Sequence, residues 1–259
     1  MADTSVRDAA GSLDRGEEHA GLLHNDFGGY AGRVTDGGTT IPSTLRIVAS
    51  ADLPTRHGPA RIDVFDSRPD GDGELVVVSH RAGQDGDDSA PLVRLHSVCL
   101  TGDVLGSLNC DCGPQLQQSL GYIMAAPHGV LVYILNHEGR GIGLAKKVLA
   151  ISLQAKQGLD TVEANVALGL PVDARDFGHC AEALRQLGIA KIQLLTNNPE
   201  KVRAIAAAGI EVVRRVPLTG FANEHNAGYL NAKRDLLGHL LGPAPKPTGG
   251  DAIRSSSAD

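Results

Sequence analysis

Tryptophan is absent from this 259-residue chain, and aromatic residues together make up only 3 % of it. Valine, isoleucine, leucine and alanine must therefore do most of the packing, and with 42 % apolar residues there is enough to fill a core. No apolar run approaches the ~18–20 residues needed to cross a bilayer, which excludes a membrane protein. The opening MADTSVRDAAGSLDRGEEHA is acidic and has no apolar stretch, so no secretory signal is expected. Cysteine is scarce: Cys99, Cys110, Cys112 and Cys180 are too few for a disulfide scaffold and point to a reducing, cytoplasmic compartment. Basic side chains (24) are outnumbered by acidic ones (30), and no long basic block occurs, which argues against a nucleic-acid binder. With a formal net charge of −6, any anionic ligand must be held by a local cluster of Arg and Lys.

Residues 1–43 are rich in Gly, Asp and Thr without sustained periodicity and read as a disordered or loosely docked extension. The stretch 242–259, GPAPKPTGGDAIRSSSAD, reads as a disordered tail. Between them, 44–241 forms one folded domain with no internal linker or repeat. Its first half holds short aliphatic runs, TLRIVASADL, ARIDVFDS, ELVVVSH and LVRLHS, which read as strands of a partly antiparallel region. Helices are then expected over 115–124, 144–157, 181–187, 199–208 and 229–241, alternating with strands over 129–135, 191–196 and 211–216. That alternation implies an α/β fold, a mixed sheet with flanking helices.

Three of the four cysteines fall together in Cys99-LTGDVLGSLN-Cys110-Asp111-Cys112. Three protein ligands leave a tetrahedral zinc one open position, the arrangement that lets the metal supply hydroxide at neutral pH. Spacing alone also allows Cys180 to close a structural four-ligand site, or three ordinary buried thiols. The stretch HEGRGIGL (137–144) follows a buried strand, where glycines let backbone NH groups approach a phosphate and Arg140 adds a planar donor fork; it could equally be only a turn. In QLLTNNPEKVRAIAAAGIEVV, Asn198 can cap a helix that starts at Pro199. Thr196 and Lys201 would then face the crevice at the sheet's carboxyl edge, unless they serve local backbone and solvent. The loop Asp173-Ala-Arg175-Asp176, by itself, reads as a solvated turn.

Taken in order, RLHSVCLTGD, SLNCDCGPQL, HEGRGIGL, DTVEAN, DARDF and LLTNNPEKV resemble the GTP cyclohydrolase II family, from about Leu45 to Leu241. The resemblance implies a layered α/β/α fold and a zinc hydrolase that opens the imidazole ring of GTP at C8, releasing formate and pyrophosphate. The family's three zinc-binding cysteines match Cys99, Cys110 and Cys112, one ion per chain. Its arginine nucleophile on the α-phosphorus matches Arg175, and the acidic proton acceptor matches Asp173. The GTP-contacting positions match Arg94, His96, Ser97, Gln115, Glu138, Gly139, Arg140, Thr161, Thr196 and Lys201. Arg94, Arg140, Arg175 and Lys201 would converge on the triphosphate with Mg2+ bridging its oxygens, and Glu138 would accept from the guanine amino edge. A homodimer is implied as well. In the bifunctional form a second large enzymatic domain stands in front, for which 1–43 is too short.

Departures from the family pattern fall beside the chemistry. Val98 stands where a glutamate is usual, Asn109 where an arginine is, Asn136 and His137 where Arg-Gln is, and Ile151 where the family carries a tyrosine. Val98, His137 and Ile151 are therefore the candidate specificity positions. With the thiolates and the DARD loop intact, modified rather than lost catalysis is expected. The reaction would run to completion, stop at the formylamino pyrimidine nucleotide, or use a related purine nucleotide; the latter two suit a secondary pathway better than flavin supply. A non-catalytic guanine-nucleotide-binding homologue would have no need of Arg175 and Asp173, and a structural zinc module would have no affinity for GTP.

Overall fold

The computed structural model describes residues 45–68, 71–82, 89–219 and 221–241, so the expected extension and tail lie outside the described residues. The chain opens with a hairpin of β1 (Arg46–Thr55) and β2 (Gly58–Asp66), followed by β3 (Leu75–Arg81) and β4 (Leu92–Ser97). A single π-helical turn over Leu100–Val104 leads into α1 (Cys112–Ala125) and β5 (His128–Ile134). Next come α2 (Leu144–Gln157), α3 (Thr161–Ala167) and α4 (Gly178–Gln186). β6 (Lys191–Leu195), α5 (Pro199–Ala207), β7 (Glu211–Val216) and α6 (Ala227–Asp235) complete the order.

The strands form one seven-stranded sheet in the order β1-β2-β3-β5-β4-β6-β7. Its first half is antiparallel and its second half, from β5 to β7, is parallel. Central β5 (HGVLVYI) is a near-continuous apolar run with both faces covered, whereas the edge strand β7 (EVVRRV) is exposed or half-buried throughout. Val93, Leu95, Val130, Val132, Ile192 and Leu194 pack with Cys180, Ala181 and Leu184 of α4 and Ile205 of α5 in the main core. The alternate residues of β4 and β5, Arg94, His96, Leu131 and Tyr133, face the side that carries α1.

Connection β4-α1-β5 runs toward β3, whereas β6-α5-β7 runs the other way. Right-handed crossovers then place α1 and α5 on opposite faces, and a crevice opens where the direction reverses, between the carboxyl ends of β4 and β6. The two strands pair only at Leu92↔Gln193 and Val93↔Leu194 and then part. Beyond the split, two carbonyls that a ladder would have used are taken by cations. Arg94 Nη1 donates to Leu195 O at 3.0 Å, and Lys201 Nζ donates to Leu95 O at 2.7 Å.

Two elements differ from expectation. Helix α3 was not anticipated; Asp160 and Glu163 make a full capping box, with Asp160 Oδ1 accepting from Val162 N and Glu163 N and Glu163 Oε2 accepting from Asp160 N. The closing helix, expected over 229–241, spans Ala227–Asp235 instead. Gly238 takes φ +64° and His239 N closes back on Lys233 O at 3.0 Å, a left-handed termination that turns the chain toward Asn197 O, which accepts from Leu240 N at 2.8 Å.

Candidate active site

The π-helical turn brings the three thiols together. Sγ atoms of Cys99, Cys110 and Cys112 lie within 4.8 Å of one another, and Cys99 and Cys110 are 3.8 Å apart. The turn can approach this closely because of Gly102: a Cβ there would stand 2.7 Å from Cys110 Sγ. Gly113, at the start of α1, would put a Cβ 2.2 Å from Gly102 O. Asp103 pins the turn from behind. It accepts from Cys99 N at 3.0 Å, Tyr133 Oη at 2.8 Å and His96 Nε2 at 3.1 Å. Cys180 lies apart, fully buried in the main core, where desolvation pushes its thiol up to about 12. Among the described residues the only metal-capable group is the trio, and the four-ligand alternative with Cys180 has no geometric support.

The donor set fits zinc. Hydrogen bonds from Cys110 and Cys112 hold the Cys99 thiol far below its ordinary value, while Cys112 is pushed well above by its two sulfur neighbours. Three sulfurs this close share negative charge poorly unless a cation balances it, and soft sulfur ligands in threes suit zinc with a position free.

The trio forms one wall of a cavity of about 180 Å³ at the split in the sheet. Arg94, Arg140, Lys147, Arg175, Lys201 and Lys233 line the rest of it, with no carboxylate among the described lining residues. Arg140 stands out: it holds φ +61°, and its Nη1 and Nη2 are buried with no partner. Such a donor fork is costly to bury unless an anion takes it. Its backbone is fixed by Ala174 N, which donates to Arg140 O at 3.0 Å, so the glycine-rich turn and the DARD loop are tied together. Gly141 permits this approach, since a Cβ would meet Ala174 C at 3.1 Å and φ is +87°.

Asp173 clasps Arg175 through Nε (2.9 Å) and Nη2 (2.5 Å), leaving Nη1 to reach Ser97 Oγ at 3.4 Å. Ser97 Oγ also meets His137 Nδ1 at 3.3 Å, and His137 packs edge-on against Phe177. Burial, then Arg175 and Lys201, push His137 down to about 4, so the imidazole is neutral. Burial also pushes Lys201 well below its usual value, with Arg94 and Arg175 adding to the effect, and drives Arg94 down to about 10.

Most of the positions carried by the resemblance meet at this cavity. Arg94, His96, Ser97, Gln115, Gly139, Arg140, Thr161, Arg175, Thr196, Lys201 and the three cysteines line it, as do Val98, Asn109, His137 and Ile151. Glu138 and Asp173 are not on the wall. Each stands behind a cation that is: Glu138 Oε1 accepts from Lys147 Nζ at 2.7 Å, as Asp173 does from Arg175. Several lining residues escaped the sequence reading: Lys147, Tyr229, Lys233 and His239. Lys233 Nζ donates to the buried Asp111 Oδ1 at 2.5 Å, and Asp111 Oδ2 accepts from Gln115 Nε2, whose Oε1 accepts from Arg94 Nη2 at 2.7 Å. Only Asp111's place between two ligands hinted at this chain of contacts.

A cysteine trio able to hold a metal ion opens onto a cationic crevice at the reversal point of an α/β sheet, an arrangement suited to an anionic ligand. Residues 46–217 match the family model for GTP cyclohydrolase II, and the chain belongs to that family. It is 49 % identical over 194 residues to "Riboflavin biosynthesis protein RibBA" of Aquifex aeolicus, covering 75 % of this chain and 47 % of that protein. The RibBA of Salinispora tropica is 48 % identical over 198 residues, which is 76 % of this chain and 48 % of the relative. "GTP cyclohydrolase-2" of Neisseria meningitidis is 49 % identical over 197 residues, 76 % of this chain and 97 % of the relative. The chain thus spans about half the length of the RibBA relatives it matches. Among the described residues no helix is long and apolar enough to cross a membrane.

Proposed function

We propose that this chain is a zinc-dependent GTP cyclohydrolase II, opening the imidazole ring of GTP at C8 and yielding formate, pyrophosphate and a diaminopyrimidine ribosyl phosphate. The observation that carries this reading is the buried, unpartnered guanidinium of Arg140 sharing one cavity with the Cys99–Cys110–Cys112 trio. Zinc held by those cysteines would supply a Lewis acid able to lower the pKa of water.

The protein's own residues bind and orient the nucleotide. Arg94, Arg140, Arg175 and Lys201 receive the triphosphate, with Gln115, Thr161 and Thr196 as neutral donors and acceptors around it. Mg2+ would enter with the triphosphate as part of the substrate. Because Asp173 occupies Nε and Nη2 of Arg175, Nη1 is the nitrogen presented to the α-phosphorus. Its attack forms a P–N bond as the bond to the bridging oxygen breaks, and pyrophosphate leaves with the electron pair. Water then cleaves the P–N bond, which frees Arg175 and leaves a phosphate monoester on the ribose. Asp173 is the acceptor in place for the guanidinium proton. Glu138, whose oxygens already accept from Lys147, Leu100 N and Gly139 N, acts on the base by holding the metal-loop wall against it.

The test is to supply GTP and zinc to the full chain and measure formate against pyrophosphate. Release in equal amounts is expected. Bound GTP that is never consumed by zinc-loaded protein would mark a non-catalytic homologue and overturn the proposal. Ile151 on the cavity wall favours a second reading, in which the reaction stops at the formylamino pyrimidine nucleotide. An aliphatic side chain cannot place water as the family's phenol could, and pyrophosphate without formate is the outcome that would select this reading. The names of the relatives suit flavin supply in the first case, and a secondary pathway suits the second. We place the chain in the cytoplasm, in keeping with its free thiols. It is a homodimer in this proposal: α2 buries only Ala150 and leaves Leu144, Val148 and Leu149 largely exposed as an apolar face. A monomer mass by light scattering would remove that assignment.

A further inference from the structure

Lys147 lies in the first turn of α2, with its N donating to Gly143 O at 3.1 Å, and none of the family positions carried over includes it. Its Nζ reaches Cys99 Sγ at 3.1 Å and Glu138 Oε1 at 2.7 Å. Glu138 Oε2 in turn accepts from Leu100 N at 2.8 Å, the residue after Cys99. These contacts close a ring from the Cys99 sulfur through the ammonium and carboxylate back to the ligand's own loop. The backbone is shaped to admit it: Gly139 holds φ +62°, and a Cβ there would stand 3.0 Å from Lys147 Cβ. Both partners of the ion pair are largely buried, with side chains 16 % and 12 % exposed.

Three thiolates around a divalent ion leave one surplus negative charge on sulfur. An ammonium donor set against one of the three takes up that surplus, and a thiolate that accepts a hydrogen bond donates less electron density to its metal. Hydrogen bonds onto ligands orient them as well as tune them, and this one also fixes the carboxylate beneath the glycine-rich turn.

We propose that Lys147 is a positioning residue of the metal site, orienting the Cys99 sulfur, drawing charge from it once it is a ligand and coupling it to Glu138. This rests on the reading of the cysteine trio as a zinc site. Lys147 would thereby keep the bound ion a stronger Lewis acid than three bare thiolates allow.

The experiment uses the full chain loaded with Co2+ for spectroscopy and with Zn2+ for affinity, by competition against a chromophoric chelator. Lys147→Met is expected to weaken zinc binding roughly 10–100-fold and move the thiolate-to-cobalt charge-transfer band to lower energy. Lys147→Gln, which keeps a neutral donor, should shift both the same way, so the comparison survives if the methionine variant fails to fold. Lys147→Arg, which keeps the charge, should restore most of the affinity and the band position. Neutral variants that bind zinc within about twofold of wild type, with the band unmoved, would overturn the inference and leave Lys147 as an anchor of α2 only. Wild-type protein that takes up neither ion would overturn the metal reading itself, and this inference with it.

Discussion

The groups around His137 oppose its protonation on balance, outweighing Asp173 and a backbone hydrogen bond at Asp176. The imidazole is buried, Arg175 and Lys201 are its cationic neighbours, and Phe177 covers one side. A histidine whose folded pKa of about 4 lies below its ordinary 6.5 binds a proton in the unfolded chain before it does so in the folded one. Stability is therefore expected to fall as pH drops from about 6.5 toward 4, by up to ~1.4 kcal/mol per pH unit for this one group. His239, pushed down to about 3 by burial and then Lys233, works in the same direction. Thermal melts of wild type and His137→Gln between pH 6.5 and 5, above the carboxylate range, check this. The variant should show the shallower slope, and parallel slopes would remove His137 from the account. In the neutral state its Nδ1 can take the Ser97 hydroxyl proton, which turns a lone pair of Oγ toward Arg175 Nη1.

Helix α6 reaches the metal loop from a distance in sequence of 122 residues, through the Lys233–Asp111 contact. Asp111 is buried between Cys110 and Cys112, so removing its cation strands a charge there. Lys233→Met should cost about 3–5 kcal/mol, read as a lowered melting temperature, and weaken metal binding as the Cys-Asp-Cys segment loosens. Adding Asp111→Asn should recover part of the loss, and a double variant no more stable than the single one would deny that the pair acts as a unit. Strands β1 to β7, helix α2 and the Asn198-capped α5 were legible in the sequence, because each carries its own periodicity, caps or flanking glycines. Helix α3 has its capping box written in DTVE, but at seven residues it shows no apolar periodicity to mark it as a helix. The early end of α6 depends on Gly238 and on a carbonyl of Asn197, and only the latter is invisible locally. The cysteine trio was legible from its spacing, whereas Asp173-Ala-Arg175-Asp176 read alone as a solvated turn and took on chemical meaning only through the family resemblance. Lys147, Asp103, Tyr133 and Lys233 were not legible, since each acts through a partner that only the tertiary fold brings near.

The sheet as a whole is a compromise between a continuous ladder and an open crevice. Parting β4 from β6 leaves the Leu95 and Leu195 carbonyls to Lys201 and Arg94, and so seats two cations where ladder hydrogen bonds would otherwise run. Burial and mutual repulsion depress Lys201 in the free protein. A polyanion entering the crevice reverses that, raising the lysine toward its ordinary value. Between the two values the complex therefore carries more protons than its parts, and affinity should weaken as pH rises through that window. Calorimetric titration with inorganic tripolyphosphate, repeated in buffers of different ionisation heat, reads the effect directly. Enthalpies that depend on the buffer with the sign of uptake are expected, and buffer-independent ones would refute it. The gap in the sheet is in this sense a proton sink, its lysine made less basic at rest and its basicity restored, with a proton from solvent, as the guest docks.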